Sequence, residues 1–133
     1  MINVIGSATS ALSAQSKRVE ATASNIANAF SVGSPDGSVG RAAYAPVDVT
    51  LIDRGDGGVT AQVRERDPAT VEAFAPDDPS ANAEGFVAAP NVNLGEELIT
   101  MKFAENAYKA AAQLLRMGQD LDDALLNAVR KDA

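Results

Sequence analysis

The chain has 133 residues, enough for one domain, but alanine makes up much of its 46% hydrophobic content, aromatics are 5% and Trp is absent, so a thick, enzyme-like core is not expected. A formal charge of -7, with the eleven Lys and Arg scattered singly or in pairs, argues against a nucleic-acid partner, which demands a concentrated cationic surface, and against a polybasic membrane anchor. Neither Cys nor His occurs, which removes disulfides and thiolate metal sites together with the commonest general base and metal ligand.

The first charged side chain is Lys17, and residues 1–16 carry Ser, Thr, Asn and Gln throughout. Neither a cleavable secretory signal nor a membrane-spanning segment fits this composition, so no direct membrane insertion is expected. From residue 3 to 29 there is no Pro, and Ile5, Leu12, Val19 and Ile26 recur every seventh position. That spacing predicts a helix with one narrow seam for a partner helix. The run Asn28-Ala29-Phe30-Ser31-Val32-Gly33 predicts its stop, because Asn and Gly tolerate the left-handed cap conformation.

Between residues 34 and 90 the helical period vanishes. Val47, Val49 and Leu51 alternate with Asp48, Thr50 and Ile52, and Val59, Ala61 and Val63 alternate again after the Gly-rich turn Asp56-Gly57-Gly58. These runs predict a short β-hairpin. Residues 67–90 hold Pro68, Pro76, Pro79 and Pro90 and are expected to form an extended, rigid loop. A second helix then starts clearly, with Asn93 as a cap, Glu96 three residues on, and Glu96-Glu97 at the positive helix end. It is expected to run from 94 to about 128. Leu98, Met101, Tyr108, Leu115, Leu121 and Leu125 mark its seam, which drifts as a straight helix does against a seven-residue repeat.

The expected fold is therefore mainly α: an elongated antiparallel pair of terminal helices with a short β-hairpin and a proline-rich extended middle. Segments 1–33 and 91–133 are the two helical arms, packed on each other, and 34–90 the middle. Antiparallel packing would place Ile5 near Leu121 or Leu125 and Ile26 near Leu98 or Met101. Large apolar residues are few, so burying the four at the first seam contributes only roughly 6–12 kcal/mol, and an isolated helix pair of this kind is marginal.

Site-like patterns are weak. Asp78, Ser80, Asn82 and Glu84 imitate a calcium loop faintly, but Ala83 stands where that loop needs Gly and Ala89 where it needs Glu. Gly33, Gly37 and Gly40 lack phosphate-binding spacing. Asp122-Asp123 read as solvated carboxylates near a helix end. No catalytic, metal or cofactor residues are expected, and no small-molecule substrate. Asn25 and Asn28 are open to two readings: hydrogen bonding across a helix interface to fix register, or capping of the first helix.

Ala11-Leu12-Ser13-Ala14-Gln15, followed by Ala23-Ser24-Asn25-Ile26-Ala27-Asn28-Ala29, resembles the N-terminal signature of bacterial flagellar axial proteins. Gly85-Phe86-Val87-Ala88-Ala89-Pro90-Asn91-Val92-Asn93, with Glu96-Glu97 and Ala107-Tyr108 beyond it, is similar to their C-terminal signature. In a short chain that second segment resembles the FlgC-type proximal rod proteins. Ala75-Pro76-Asp77-Asp78-Pro79-Ser80-Ala81-Asn82 departs from the Asp-Pro-x-His-Pro-Asp-Ala-Asp type of run common there, and Asn106 stands where Arg is usual. The resemblance implies a structural subunit of the basal-body rod, exported unfolded by the flagellar type III apparatus without cleavage. It implies helical polymerisation in the periplasm with itself and other rod proteins, the paired terminal helices surrounding the export channel and the rod transmitting torque. The alternative is a secreted α-helical hairpin partner or adaptor that stops at a defined oligomer.

Overall fold

The computed structural model describes residues 4–37 and 40–131; positions 1–3 and 132–133 of the two predicted arms, and 38–39 of the middle, lie outside it. The first helix, α1, runs Val4–Ala27, and the last, α2, runs Leu94–Lys131. At about 1.5 Å per residue these span about 36 and 57 Å. They are antiparallel: Ile5 lies against Gly118 near one end of the pair, and Asn25 bonds Glu97 at the other. Ile5 thus meets α2 a turn short of the expected Leu121.

The stretch of α1 that faces partners is made of interleaved rows. Ile5, Leu12, Val19 and Ile26 are half-buried, while Ala8, Gln15 and Thr22, three residues beyond the first three of them, are buried. On α2, Glu97, Ala104, Ala111 and Gly118 form a buried row, again stepping by seven, with Met101 and Leu115 half-buried between them. Small residues occupy the closest positions, which lets two helix axes approach more tightly than large side chains would.

α1 stops without any left-handed residue, since no non-glycine residue described has positive φ. Instead, the side-chain amide of Asn28 donates to the Ser24 carbonyl at 3.0 Å, and Ser31 Oγ donates to Asn28 Oδ1 at 3.3 Å. The chain then passes through Gly33, which exchanges backbone hydrogen bonds of 2.9 and 2.8 Å with Ala88. A methyl group at Gly33 would fall on the backbone of Arg41, Ala42 and Ala43, so glycine is required there by close approach.

The expected hairpin is present as β1, Val47–Asp53, and β2, Val59–Glu65, with Val49 opposite Val63 and Leu51 opposite Ala61. Gly55 and Gly57 take positive φ in its turn. The hairpin lies along α1. Val59 N–H donates to Ser10 Oγ at 3.1 Å, and at the far end Val47 is held by Asn25. Fifteen helical residues and seven strand residues both cover roughly 22 Å, so the two elements match in length.

The extended loop expected over 67–90 is instead a second hairpin. β3, Thr70–Phe74, pairs with β4, Phe86–Pro90, from Thr70 opposite Pro90 to Phe74 opposite Phe86. Pro68, Pro76 and Pro79 fall outside the strands, and Pro90 closes the last one, where a missing N–H is tolerated. Val87, Ala88 and Pro90 are buried, so β4 belongs to the core.

Candidate functional site

The densest polar arrangement sits where α1, both hairpins and α2 converge, and it begins at Asn25. This side chain is 1% exposed and occupied on all sides. Its amide nitrogen donates to the Val47 carbonyl at 2.8 Å and to Glu97 Oε1 at 3.2 Å. Its amide oxygen accepts from Val47 N–H and from the Tyr44 hydroxyl, both at 3.0 Å. Because Tyr44 donates to Asn25, the hydrogen in its 3.0 Å contact with Ser24 Oγ comes from serine. Asn25 thus behaves toward Val47 as a neighbouring strand would, satisfying the backbone groups that open β1.

Glu97 extends the network. Its buried carboxylate also accepts from Arg66 at 2.8 Å. The Arg66 fork reaches Asp48 through both Nε and Nη2, the latter at 2.6 Å, and the Asn91 carbonyl through Nη1 at 2.7 Å. Hydrogen bonding to Asp48 first, and then to Glu97, holds the guanidinium pKa above its ordinary value against partial desolvation, so Arg66 stays charged. A planar fork serving three acceptors is chemistry lysine does not reproduce. Arg66→Lys is expected to lower unfolding free energy by about 1–3 kcal/mol, the range for hydrogen bonds to charged groups, read by urea denaturation.

Asn91 completes the hub. Its side chain donates to the Pro68 carbonyl and its N–H to that of Ala69, both at 2.9 Å. Asn93 caps α2 as expected: Oδ1 accepts from Gly95 and Glu96 N–H at 3.0 and 3.3 Å. The capping reading therefore describes Asn28, while Asn25 reaches across to α2.

The remaining motif residues have structural surroundings. Gly85 is buried with φ 83, and a methyl there would sit 3.0 Å from the Phe74 ring. Phe86 packs edge-on against Phe74, centroids 5.4 Å apart. Val87 is 1% exposed, Ile26 and Val92 are half-buried, and Ala27 is exposed. Of the predicted seam, Ile5, Leu12, Val19, Ile26, Met101 and Leu115 lie half-buried, and Tyr108 is 42% exposed near Val19. Leu98, Leu121 and Leu125 remain more than half exposed. α2 outruns α1, and residues 119–131 are exposed throughout.

The hub opens onto a cleft of about 640 Å³, bordered by Arg18, Thr22, Asp48, Arg66 and Phe103. Around the faint calcium-like segment, Asp78 Oδ1 accepts from Ser80 N–H and Asn82 Oδ1 from Glu84 and Phe86 N–H, which makes them turn formers. Among the described residues no group of three acidic side chains is arranged to hold a metal, and no helix is long and apolar enough to cross a membrane.

Sequence reasoning missed Tyr44, Arg66 and the bonding role of Glu97. Their partners are 18 to 72 positions distant, and no periodicity joins them.

Comparison with known proteins matches both ends. A family model described as "Flagella basal body rod protein" covers residues 5–33, and one described as "Flagellar basal body rod FlgEFG protein C-terminal" covers 83–128. The chain is 37% identical over 123 residues to the flagellar basal-body rod protein FlgC of Yersinia enterocolitica, covering 91% of this chain and 92% of the relative. It is 38% identical over 117 residues to FlgC of Salmonella typhimurium, covering 86% and 87%, and 32% identical over 118 residues to FlgC of Agrobacterium fabrum, covering 84% and 83%.

Proposed function

The chain belongs to the FlgC family of flagellar basal-body rod proteins, and from that premise we propose how it is built into the rod: through the face of α2 that α1 leaves uncovered. It is a structural rod subunit, not an enzyme. The adaptor alternative finds no support among the relatives compared.

The observation that carries the reading is the overhang. Leu121, Leu125, Leu126 and Val129 are 58–69% exposed on the last turns of α2, a cluster of large apolar groups beyond the reach of α1. Neighbouring subunits that cover it remove this area from water, at about 1.5–3 kcal/mol per large side chain. In this reading the subunit leaves the cytoplasm through the flagellar type III apparatus, orders with other rod proteins in the periplasm, and polymerises helically around the export channel to pass torque along the rod.

The test is the double variant Leu121→Asp, Leu125→Asp. Both positions are exposed in the subunit, so its stability should change by no more than about 0.5 kcal/mol. In the rod the new carboxylates would be desolvated without partners, at several kcal/mol each. The expected strain makes and exports the protein but is non-motile and lacks rods, while Asp77→Ala, on an exposed loop, swims. Normal swimming by the double variant removes the overhang from assembly. Leu12→Asp is expected to block assembly too, but Leu12 is half-buried against the rest of the subunit, so part of its effect is loss of stability.

A further inference from the structure

The second hairpin leaves one strand edge bare. Ala75 N–H donates to the Gly85 carbonyl and Asn91 N–H to that of Ala69, so the ladder to β4 runs through residues 69, 71, 73 and 75. In an antiparallel pair the intervening residues turn their polar groups the other way. The N–H and C=O of Thr70, Glu72 and Phe74 therefore point away from β4, and among the described residues they meet no hydrogen-bond partner. No element other than β4 packs on β3. The opposite edge of this sheet is taken: Gly33 and Asn82 bond β4 at Ala88 and Phe86. The first hairpin is tied to α1 at Val47 and Val59, and Arg64, Glu65 and Arg66 line its open stretch with charges that discourage strand addition.

β3 has neither protection. Its Val71 and Phe74 are exposed, as is the neighbouring Phe86, and Pro68 and Pro76 bracket the five-residue strand, so an added strand stays short. Charge narrows what covers it. From residue 67 to 90 the chain holds Asp67, Glu72, Asp77, Asp78 and Glu84 and no Lys or Arg. Among the described residues none of these acids takes part in an ion pair. A second copy of the edge, paired antiparallel over its full length, would set Glu72 against Glu72, which is destabilising. A basic strand would place a cation there instead.

We propose that the outer edge of β3 accepts, antiparallel, an extended basic segment of a partner protein, with Lys or Arg opposite Glu72 and an apolar side chain opposite Phe74. Main-chain bonds to Thr70, Glu72 and Phe74 hold the segment, and its alternate side chains select it. The inference does not depend on the overhang of α2. The probe is the end-capped peptide Lys-Val-Thr-Arg-Val-Thr-Lys, added to the full chain at up to about 1 mM, which detects even millimolar affinity. Its Arg falls opposite Glu72 and its first Val opposite Phe74. Amide exchange followed by NMR should slow at Thr70, Glu72 and Phe74 on binding, while Val71 and Ala73, already paired to β4, change little. N-methylating the Arg and first Val of the peptide should weaken binding about tenfold or more, because two hydrogen bonds are removed. Glu72→Lys, at an exposed position, should weaken it about tenfold by turning attraction into repulsion. Absence of binding, or binding indifferent to the N-methyl groups, overturns the proposal. Protection of the same three amides without peptide, rising with protein concentration, identifies a second copy as the occupant and overturns it too.

Discussion

Asn25→Leu is expected to lower the unfolding free energy of the subunit by about 3–5 kcal/mol, among the largest effects any single substitution should have here. The leucine is similar in size, so the loss arises from hydrogen bonding. Val47 N–H and C=O, the Tyr44 hydroxyl and one Glu97 contact all lose their partner around a buried side chain. Each buried group left unpaired costs about 1–3 kcal/mol, more when charged. Tyr44 can turn toward solvent and recover part of this, but the Val47 backbone cannot. Asn25→Asp should also destabilise, because it removes the donor to Val47 and sets a second carboxylate beside Glu97. Asn28→Ala removes only a helix-end contact and should cost about 1 kcal/mol. Urea denaturation followed by far-ultraviolet circular dichroism ranks the three; equal losses at Asn25 and Asn28 would contradict the hub.

Gly33→Ala is expected to be similarly damaging, at about 3 kcal/mol or more, for a steric reason. The added methyl meets the main chain of residues 41–43, and backbone does not rotate away as a side-chain tip does. Relief requires separating that segment from Gly33, which breaks the paired bonds to Ala88 and detaches the exit of α1 from β4. Gly37→Ala is the comparison. Gly37 has φ 70 but nothing within 4 Å of the added carbon, so only the left-handed backbone is penalised, at about 1 kcal/mol. Comparable losses at both positions would show that conformation, not approach, governs Gly33.

Both helices were legible because their signals are local: heptad spacing along α1, and Asn93 with two glutamates opening α2. The first hairpin was legible for the same reason, through alternation around a glycine turn. β3 and β4 were hidden by prolines, whose effect depends on where they fall relative to a ladder and not on how many there are. The seam was only half legible. Ile5, Leu12, Val19 and Ile26 mark the right stripe, but the fully buried positions are the alanines, Gln15, Thr22 and Gly118, which carry little hydropathy signal. Leu98, Leu121 and Leu125 look like core residues in sequence and are exposed in the subunit: Leu121 and Leu125 lie past the level where Ile5 meets Gly118, and Leu98 faces away from α1 beside the buried Glu97. The hub was the least legible part. Asp48 reads as the solvent face of a strand and Arg66 as one of the charged run Arg64-Glu65-Arg66-Asp67, and nothing in either segment signals that they pair.

Asn25 and Glu97 lie 72 positions apart, and this separation constrains the order in which the protein acquires structure. A chain emerging N-terminus first, from a ribosome or a narrow conduit, presents α1 and the first hairpin long before the acceptor that ties them to α2. Until residue 97 is out, Asn25 has its strand partner but no helix partner, and Arg66 has only Asp48 and, once residue 91 has emerged, the Asn91 carbonyl. Contacts so distant in sequence close slowly, because a long loop must be restrained before they reward it. A fragment ending at residue 96 should therefore show fast amide exchange over α1, whereas the full chain should protect the turns around Asn25 before those around Ile5.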